Sequence, residues 1–168
     1  MQNIIFIHGL ESSGKGFKGR FLKTIFPEIL TPDFKKFDPN IPMYKLLKDR
    51  MSELNSILEK KKNWIIIGSS FGGLMGAIYT LKNPSNVKRL ILLAPFLVSR
   101  KLKPSFYKAV DVPVTVFHGK NDSVVQYKQT QERAEKFFKN LEYNIVDDDH
   151  FLHRVVKSIN WRHLILNT

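Results

Sequence analysis

Gly68-Ser69-Ser70-Phe71-Gly72 has the spacing G-x-S-x-G. A serine in that pattern sits on a strained strand-to-helix turn, its hydroxyl lifted above a sheet, and the small residues two before and two after it give the backbone room. Chance supplies such a match in about one chain in twenty of this length. The context fits, because residues 64–67 read as a buried strand and residues 71–81 as a helix. The competing reading is a Gly-rich loop that holds a phosphate at a helix N-terminus. Ser70 holds the central position, and Ser69 reads as a packing residue.

A serine hydroxyl is a weak nucleophile and needs a base that is itself oriented by a third group. In hydrolases with this turn the chain order is Ser, acid, His. Asp122 closes the run His118-Gly119-Lys120-Asn121-Asp122 just after one strand, and His150 follows the next strand. Asp111 competes for the acid role but precedes a strand, at the wrong end of a sheet. The run Asp147-Asp148-Asp149 would have to fold back on its neighbour His150, so it reads as a solvated turn. His153 and His163 compete for the base role, but both fall in a following helix. The oxyanion of an acyl transfer needs two amides, one after the nucleophile and one after the first strand. These are Phe71 and Leu10, with Gly9 permitting a turn that aims the Leu10 amide. His8 and His118 each precede a glycine at a strand end and read as packed, hydrogen-bonded structural residues.

The elements that must carry these residues follow from apolar periodicity. Strands are expected at 3–7, 29–31, 64–67, 87–93, 112–117 and 141–146. Helices are expected at 17–26, 42–59, 71–81, 126–138 and 152–166. Residues 99–110 are basic and irregular. The β-α alternation, with strands apolar on both faces, predicts an α/β fold: a mostly parallel sheet between two helical layers. Chemistry then collects at the carboxyl ends of the strands, where all four motifs lie.

The 168 residues fit a single domain, 1–168, with no internal repeat or linker. Absence of cysteine removes disulfides, thiolate metal sites and cysteine nucleophiles, and it fits a reducing compartment. Twenty-seven Lys and Arg against fifteen Asp and Glu give a net charge of +12, which raises nucleic-acid or membrane-surface binding. Lys outnumbers Arg 20 to 7 and is scattered, whereas base-reading surfaces favour Arg. The charge therefore reads as a solvated surface. The first apolar run is four residues, against about 7–15 in a signal peptide and about 20 in a membrane span. A cytoplasmic protein without membrane insertion is expected.

Taken in order, the four motifs resemble the α/β-hydrolase superfamily across residues 3–155. The opening Phe6-Ile7-His8-Gly9-Leu10-Glu11-Ser12-Ser13 and the run Gly68-Ser69-Ser70-Phe71-Gly72-Gly73 are similar to the small YqiA-like esterases. The resemblance implies a minimal three-layer α/β/α sandwich of about six strands, ordered 2-1-3-4-5-6, with little or no cap. Its first and third strands are then neighbours, so Leu10 and Phe71 can face one oxyanion. Two features depart from the pattern: the acidic run before His150, where relatives more often carry Gly, and the near absence of a cap insertion. Only residues 96–110 could form a lid, offering Phe106, Tyr107, Arg100, Lys101, Lys103 and Lys108 to an acidic substrate, or merely a solvated basic loop.

The expectation is a serine hydrolase, a carboxylesterase or thioesterase, acting on a small acyl ester or thioester through Ser70, His150 and Asp122 and an acyl-enzyme. No metal or organic cofactor and no nucleic-acid partner is expected. An amidase or C–C hydrolase could use the same machinery. A rival is a P-loop nucleotide binder, since Gly9-Leu10-Glu11-Ser12-Ser13-Gly14-Lys15-Gly16 nearly fits that motif, but residue 16 is Gly where magnesium needs Ser or Thr. A second rival is a non-catalytic binding protein on the same fold.

Overall fold

A computed structural model describes residues 2–166. Strands β1 (Asn3–Ile7), β2 (Trp64–Ser69), β3 (Val87–Leu93), β4 (Val114–Gly119) and β5 (Leu141–Val146) form one all-parallel sheet, ordered β1-β2-β3-β4-β5. The helices are α1 (Phe17–Ile25), α2 (Met43–Leu58), α3 (Phe71–Lys82), α4 (Tyr127–Phe137), α5 (His153–Ser158) and α6 (Trp161–Leu166).

Side chains alternate along a strand, so a strand that is apolar throughout needs cover on both faces. Ile5, Ile7, Trp64, Ile66, Leu90, Leu92, Val114 and Val116 pack with α2, α3 and α4. Ile4, Phe6, Ile65, Ile67, Ile91 and Leu93 pack with α1, α5 and α6. Each such side chain contributes about 1.5–3 kcal/mol by leaving water, and the two layers of burial fix the three-layer sandwich.

The strand expected at 29–31 is the main difference. Leu30 makes a single parallel bridge to Ile5, with Phe6 N–H donating to Leu30 (2.8 Å) and Leu30 N–H donating to Ile4 (3.0 Å). Pro32 lacks the amide donor that the next rung needs, and a turn closed by Ile29 N–H donating to Phe26 (3.0 Å) ends the segment on the other side, so the ladder cannot extend. The sheet therefore has five strands rather than six, with Leu30 on the outer side of β1 as the expected order requires. Pro113 likewise delays β4 to Val114. The terminal helix expected at 152–166 is two helices. Ile159 is extended between them, and Asn160 Oδ1 caps the second by accepting from His163 N–H (3.1 Å).

From β1 the chain passes outward to Leu30 and returns on the other side to β2. That reversal opens a crevice above the carboxyl ends of β1 and β2.

Candidate active site

Ser70 lies between β2 and α3 at φ 52° and ψ −113°, a left-handed conformation that costs a non-glycine residue about 1–3 kcal/mol. Its surroundings over-determine it. The Ser70 N–H donates to Leu93 (3.0 Å), and the Ser70 carbonyl accepts from Gly73 (3.0 Å), Leu74 (3.2 Å) and Phe96 (3.0 Å). The flanking glycines are needed for close approach. A Cβ on Gly68 would stand 2.6 Å from the Gly72 oxygen, and one on Gly72 would overlap the Ile7 carbonyl.

From this turn a continuous hydrogen-bonded chain runs through the three residues expected to act together. Ser70 Oγ donates to His150 Nε2 at 3.0 Å, and His150 Nδ1 donates to Asp122 Oδ2 at 2.7 Å. The Asp122 side chain is wholly buried and that of His150 is 12% exposed. Asp122 Oδ1 accepts from the amides of Val124 (2.9 Å) and Val125 (2.8 Å).

A second histidine also meets this carboxylate. His118, fully buried, donates from Nε2 to Asp122 Oδ2 (3.1 Å) and to the Val125 carbonyl (2.9 Å). Its Nδ1 accepts from the Tyr143 hydroxyl (2.7 Å). Two acceptors at Nε2 and a hydroxyl at Nδ1 suit one neutral tautomer. Burial holds the His118 pKa below the ordinary value, although the Val125 carbonyl and the Asp122 carboxylate pull the other way. Burial also raises the Tyr143 phenol, which keeps it protonated. The reading of His118 as a packed residue holds, but its contact with Asp122 went unread. The signal was the four-residue spacing inside His118-Gly119-Lys120-Asn121-Asp122.

The competing residues lie elsewhere. Asp111 is exposed ahead of β4. Asp147 faces solvent and pairs with Lys120 (3.1 Å) and Arg154 (3.7 Å). Asp148 accepts from the amides of Asp149 (2.9 Å) and Val155 (2.9 Å), and Asp149 accepts from those of Phe151 (2.9 Å) and Leu152 (3.3 Å). The acidic run thus folds the loop that presents His150. His153 is exposed at the start of α5, its ring 4.3 Å from that of Phe17, and His163 is exposed in α6.

Phe71 opens α3, where an amide has no intrahelical acceptor. The Leu10 amide depends on Arg50, a fully buried side chain of α2. Arg50 donates to the carbonyls of Lys35 (2.8 Å), Leu10 (2.8 Å) and, at longer range, Gly9 (3.3 Å). Its guanidinium also lies 5.4 Å from the centre of the Phe71 ring. His8 Nδ1 donates to the same Gly9 carbonyl (2.7 Å), and His8 Nε2 accepts from Phe34 N–H (3.0 Å). No described peptide bond is cis, so anchoring the Gly9 carbonyl turns the Leu10 N–H the opposite way. Gly9 itself has no left-handed φ, and a Cβ there would meet the Ser69 oxygen at an ordinary 3.6 Å. The turn therefore does not need the glycine, contrary to expectation. Arg50 was legible as a charge at helical spacing between Leu46 and Leu54, in the middle of an apolar stripe.

Ser70 and His150 open into a cavity of about 610 Å³, walled by Leu10, Phe17, Lys18, Val124, Phe151 and His153 among others. Residues 96–110 do not line it. That stretch is drawn onto α4 by Arg133, which donates to Leu102 (2.5 Å), and by Tyr107, edge-on to Phe137 at 6.2 Å. Lys101 points at the ring of Tyr44 in α2, 5.8 Å away. The basic stretch is not a wall of this cavity, and the loop after β1 with the start of α1 takes that place.

The near P-loop is built for packing. The Gly14 amide is committed to Asp33 Oδ1 (2.7 Å), a carboxylate where a phosphate would have to sit. A Cβ on Gly14 would overlap the Thr31 carbonyl.

Residues 38–152 match the sequence family described as the alpha/beta hydrolase family. Among solved structures the chain is similar to the alpha/beta hydrolase domain-containing protein 10 from mouse (TM-score 0.73, 18% identity, 98% of this chain and 90% of that one). It is also similar to Est1E from Butyrivibrio proteoclasticus with ferulic acid bound (TM-score 0.75, 14% identity, 98% and 90% covered). A third is an alpha-beta serine hydrolase homologue from Coxiella burnetii (TM-score 0.70, 17% identity, 99% and 84% covered). At such identities these likenesses speak for the fold. No curated protein matches the sequence.

Proposed function

The chain belongs to the alpha/beta hydrolase family, and on that footing we propose that it is a serine hydrolase cleaving a small acyl ester or thioester. The observation that carries this is the unbroken relay from Ser70 Oγ to His150 (3.0 Å) and from His150 to Asp122 (2.7 Å), at the mouth of a cavity. Within the family, the opening and elbow motifs favour the small YqiA-like esterases. The composition, free of cysteine, suits a cytoplasmic setting, and no described helix is long and apolar enough to cross a membrane.

In this reading Ser70 Oγ attacks the acyl carbonyl as its proton passes to His150 Nε2. Asp122 holds the imidazolium through Nδ1. The amides of Leu10 and Phe71 receive the oxyanion, a contribution of about 3–4 kcal/mol for each well-placed donor. Collapse expels the alcohol or thiol, which leaves with the proton from His150. Water then attacks the acyl-Ser70, giving its proton to His150, and the second collapse releases the acid and reprotonates Ser70. The cycle closes without a metal or organic cofactor.

A fluorophosphonate probe tests the proposal. Labelling belongs at Ser70, is abolished in Ser70→Ala, is strongly slowed in His150→Ala, and is slowed far less in His153→Ala. A folded wild-type protein that stays unlabelled would overturn the proposal in favour of a non-catalytic binding protein.

A further inference from the structure

We propose that the cavity above Ser70 holds an anion subsite at Lys18, so that the preferred substrate is an ester or thioester with a carboxylate or similar anionic group on one of its halves. This rests on the hydrolase reading and names its substrate class.

Lys18 stands in the first turn of α1, half-buried, and lines the same cavity as Ser70 and His150. Among the described residues no hydrogen bond or ion pair reaches its ammonium. Lys35 and Lys120, by contrast, are paired with Asp49 and Asp147 at 2.5 and 3.1 Å.

The charged and titratable groups around Lys18 do not supply a partner. Asp148, from the loop after β5, has both oxygens on backbone amides, and Asp149 turns one oxygen onto two more. Glu11, from the loop after β1, is exposed on the cavity rim, where water screens it. His150 is held by Asp122 and Ser70, and the His153 ring packs on Phe17. Lys157, from α5, lies over the Phe17 ring at 5.6 Å and adds positive charge. Burial pulls the Lys18 pKa down to about 8, while the charges of Asp149 and Asp148 act to raise it. At neutral pH the ammonium is thus mostly charged, short of water and without a contact. An anionic oxygen placed beside it would supply the missing charge-assisted hydrogen bond. The rings of Phe17 and Phe151 line the same cavity and offer an apolar wall for the substrate's stem.

The test compares kcat/KM within pairs that differ by one charge. For the acyl side, 4-nitrophenyl monoesters of adipic and suberic acid are set against their methyl-capped diesters. For the leaving-group side, 4-acetoxybenzoate is set against its methyl ester. At pH 7 the anionic member of one series is favoured about tenfold, and the responding series locates the charge. The carboxylates are fully ionised above pH 6, so decline of the preference above pH 8 reports Lys18 losing its proton. Lys18→Gln brings the ratio close to one at every pH, and Lys18→Arg keeps it at pH 9, where a guanidinium is still charged. Ratios near one in wild type for both series, or an unchanged ratio in Lys18→Gln, overturn the subsite. If Ser70 is labelled by fluorophosphonate and the neutral esters are cleaved in that case, the hydrolase reading stands without the subsite. If neither occurs, both fall.

Discussion

His118 donates its Nε2 proton to Asp122 at 3.1 Å, on the same carboxylate oxygen that accepts from His150 at 2.7 Å. With the amides of Val124 and Val125 on the other oxygen, the carboxylate meets four donors and has one orientation. His118 lines no part of the cavity, so its influence on Ser70 passes through Asp122. In the proposed reaction it is a positioning residue.

Its removal has two separable effects. His118→Ala leaves the Val125 carbonyl without its side-chain donor, at about 1–3 kcal/mol, and leaves the Tyr143 hydroxyl only its long contact to the Tyr127 carbonyl (3.4 Å). It also frees Asp122 to swing, so kcat falls at least tenfold while KM changes little. His118→Gln returns an N–H near the carboxylate and recovers part of kcat. Urea unfolding and steady-state kinetics on a neutral ester separate the effects. A kcat equal to wild type, once the folded fraction is counted, would show that the Asp122 contact is structural only.

Arg50 holds the other half of the site. Arg50→Met keeps much of the volume but strands the carbonyls of Lys35 and Leu10, whose donors stand at 2.8 Å, and loosens the Gly9–Leu10 peptide. In the proposed reaction, where the Leu10 N–H receives the oxyanion, the expected result is a drop in kcat of about 10–100-fold with smaller change in KM, because displacing that donor weakens only the transition state. Arg50→Lys recovers little, since an ammonium cannot span three carbonyls as the guanidinium fork does. Equal losses in kcat for Met, Lys and a remote destabilising substitution would mark Arg50 as a packing residue.

Acid should weaken the fold through two buried histidines. Burial lowers the pKa of His8 and of His118 from the ordinary 6.5, most directly by penalising the charged ring. Below pH 6.5 the unfolded chain binds protons that the folded one refuses, so stability rises with pH from the lowered folded values up to about 6.5 and is complete above it. Each histidine contributes a slope of up to about 1.4 kcal/mol per pH unit within that window. Urea midpoints between pH 5 and 8 measure it, and His118→Gln should remove about half of the slope. A flat profile would mean that both rings take up protons in the folded state.

Sequence sufficed wherever the signal was local. Ser70 is named by its flanking glycines, and strands such as Trp64–Ser69 by unbroken apolar runs. Asp122 and His150 follow from their places after β4 and β5, because a parallel sheet brings strand ends together. Contacts that join distant elements were not legible. Arg50 reaches Gly9 across 41 positions, and Lys18 gains its meaning only when the loop after β5 closes beside α1. The three-residue strand around Leu30 failed for a different reason: its apolar composition was right, but Pro32 removes the next donor and the turn from Phe26 to Ile29 closes the other end.

The glycines of the site should respond in opposite ways to a single methyl group. At Gly72 an added Cβ overlaps the Ile7 carbonyl and comes to 2.5 Å from that of His8, both backbone atoms that cannot step aside. Gly72→Ala should therefore force α3 away from β1, cost about 3 kcal/mol or more, and abolish fluorophosphonate labelling at Ser70. At Gly9 the nearest atoms are the Ser69 oxygen at 3.6 Å and the Ser70 Cβ at 3.7 Å, and φ is not left-handed. Gly9→Ala restricts the unfolded chain more than the folded one and should raise stability by about 0.4–1 kcal/mol. Thermal unfolding of the two variants beside wild type decides it. A Gly9→Ala protein that melts well below wild type would restore the view that the loop after β1 turns only because residue 9 is glycine.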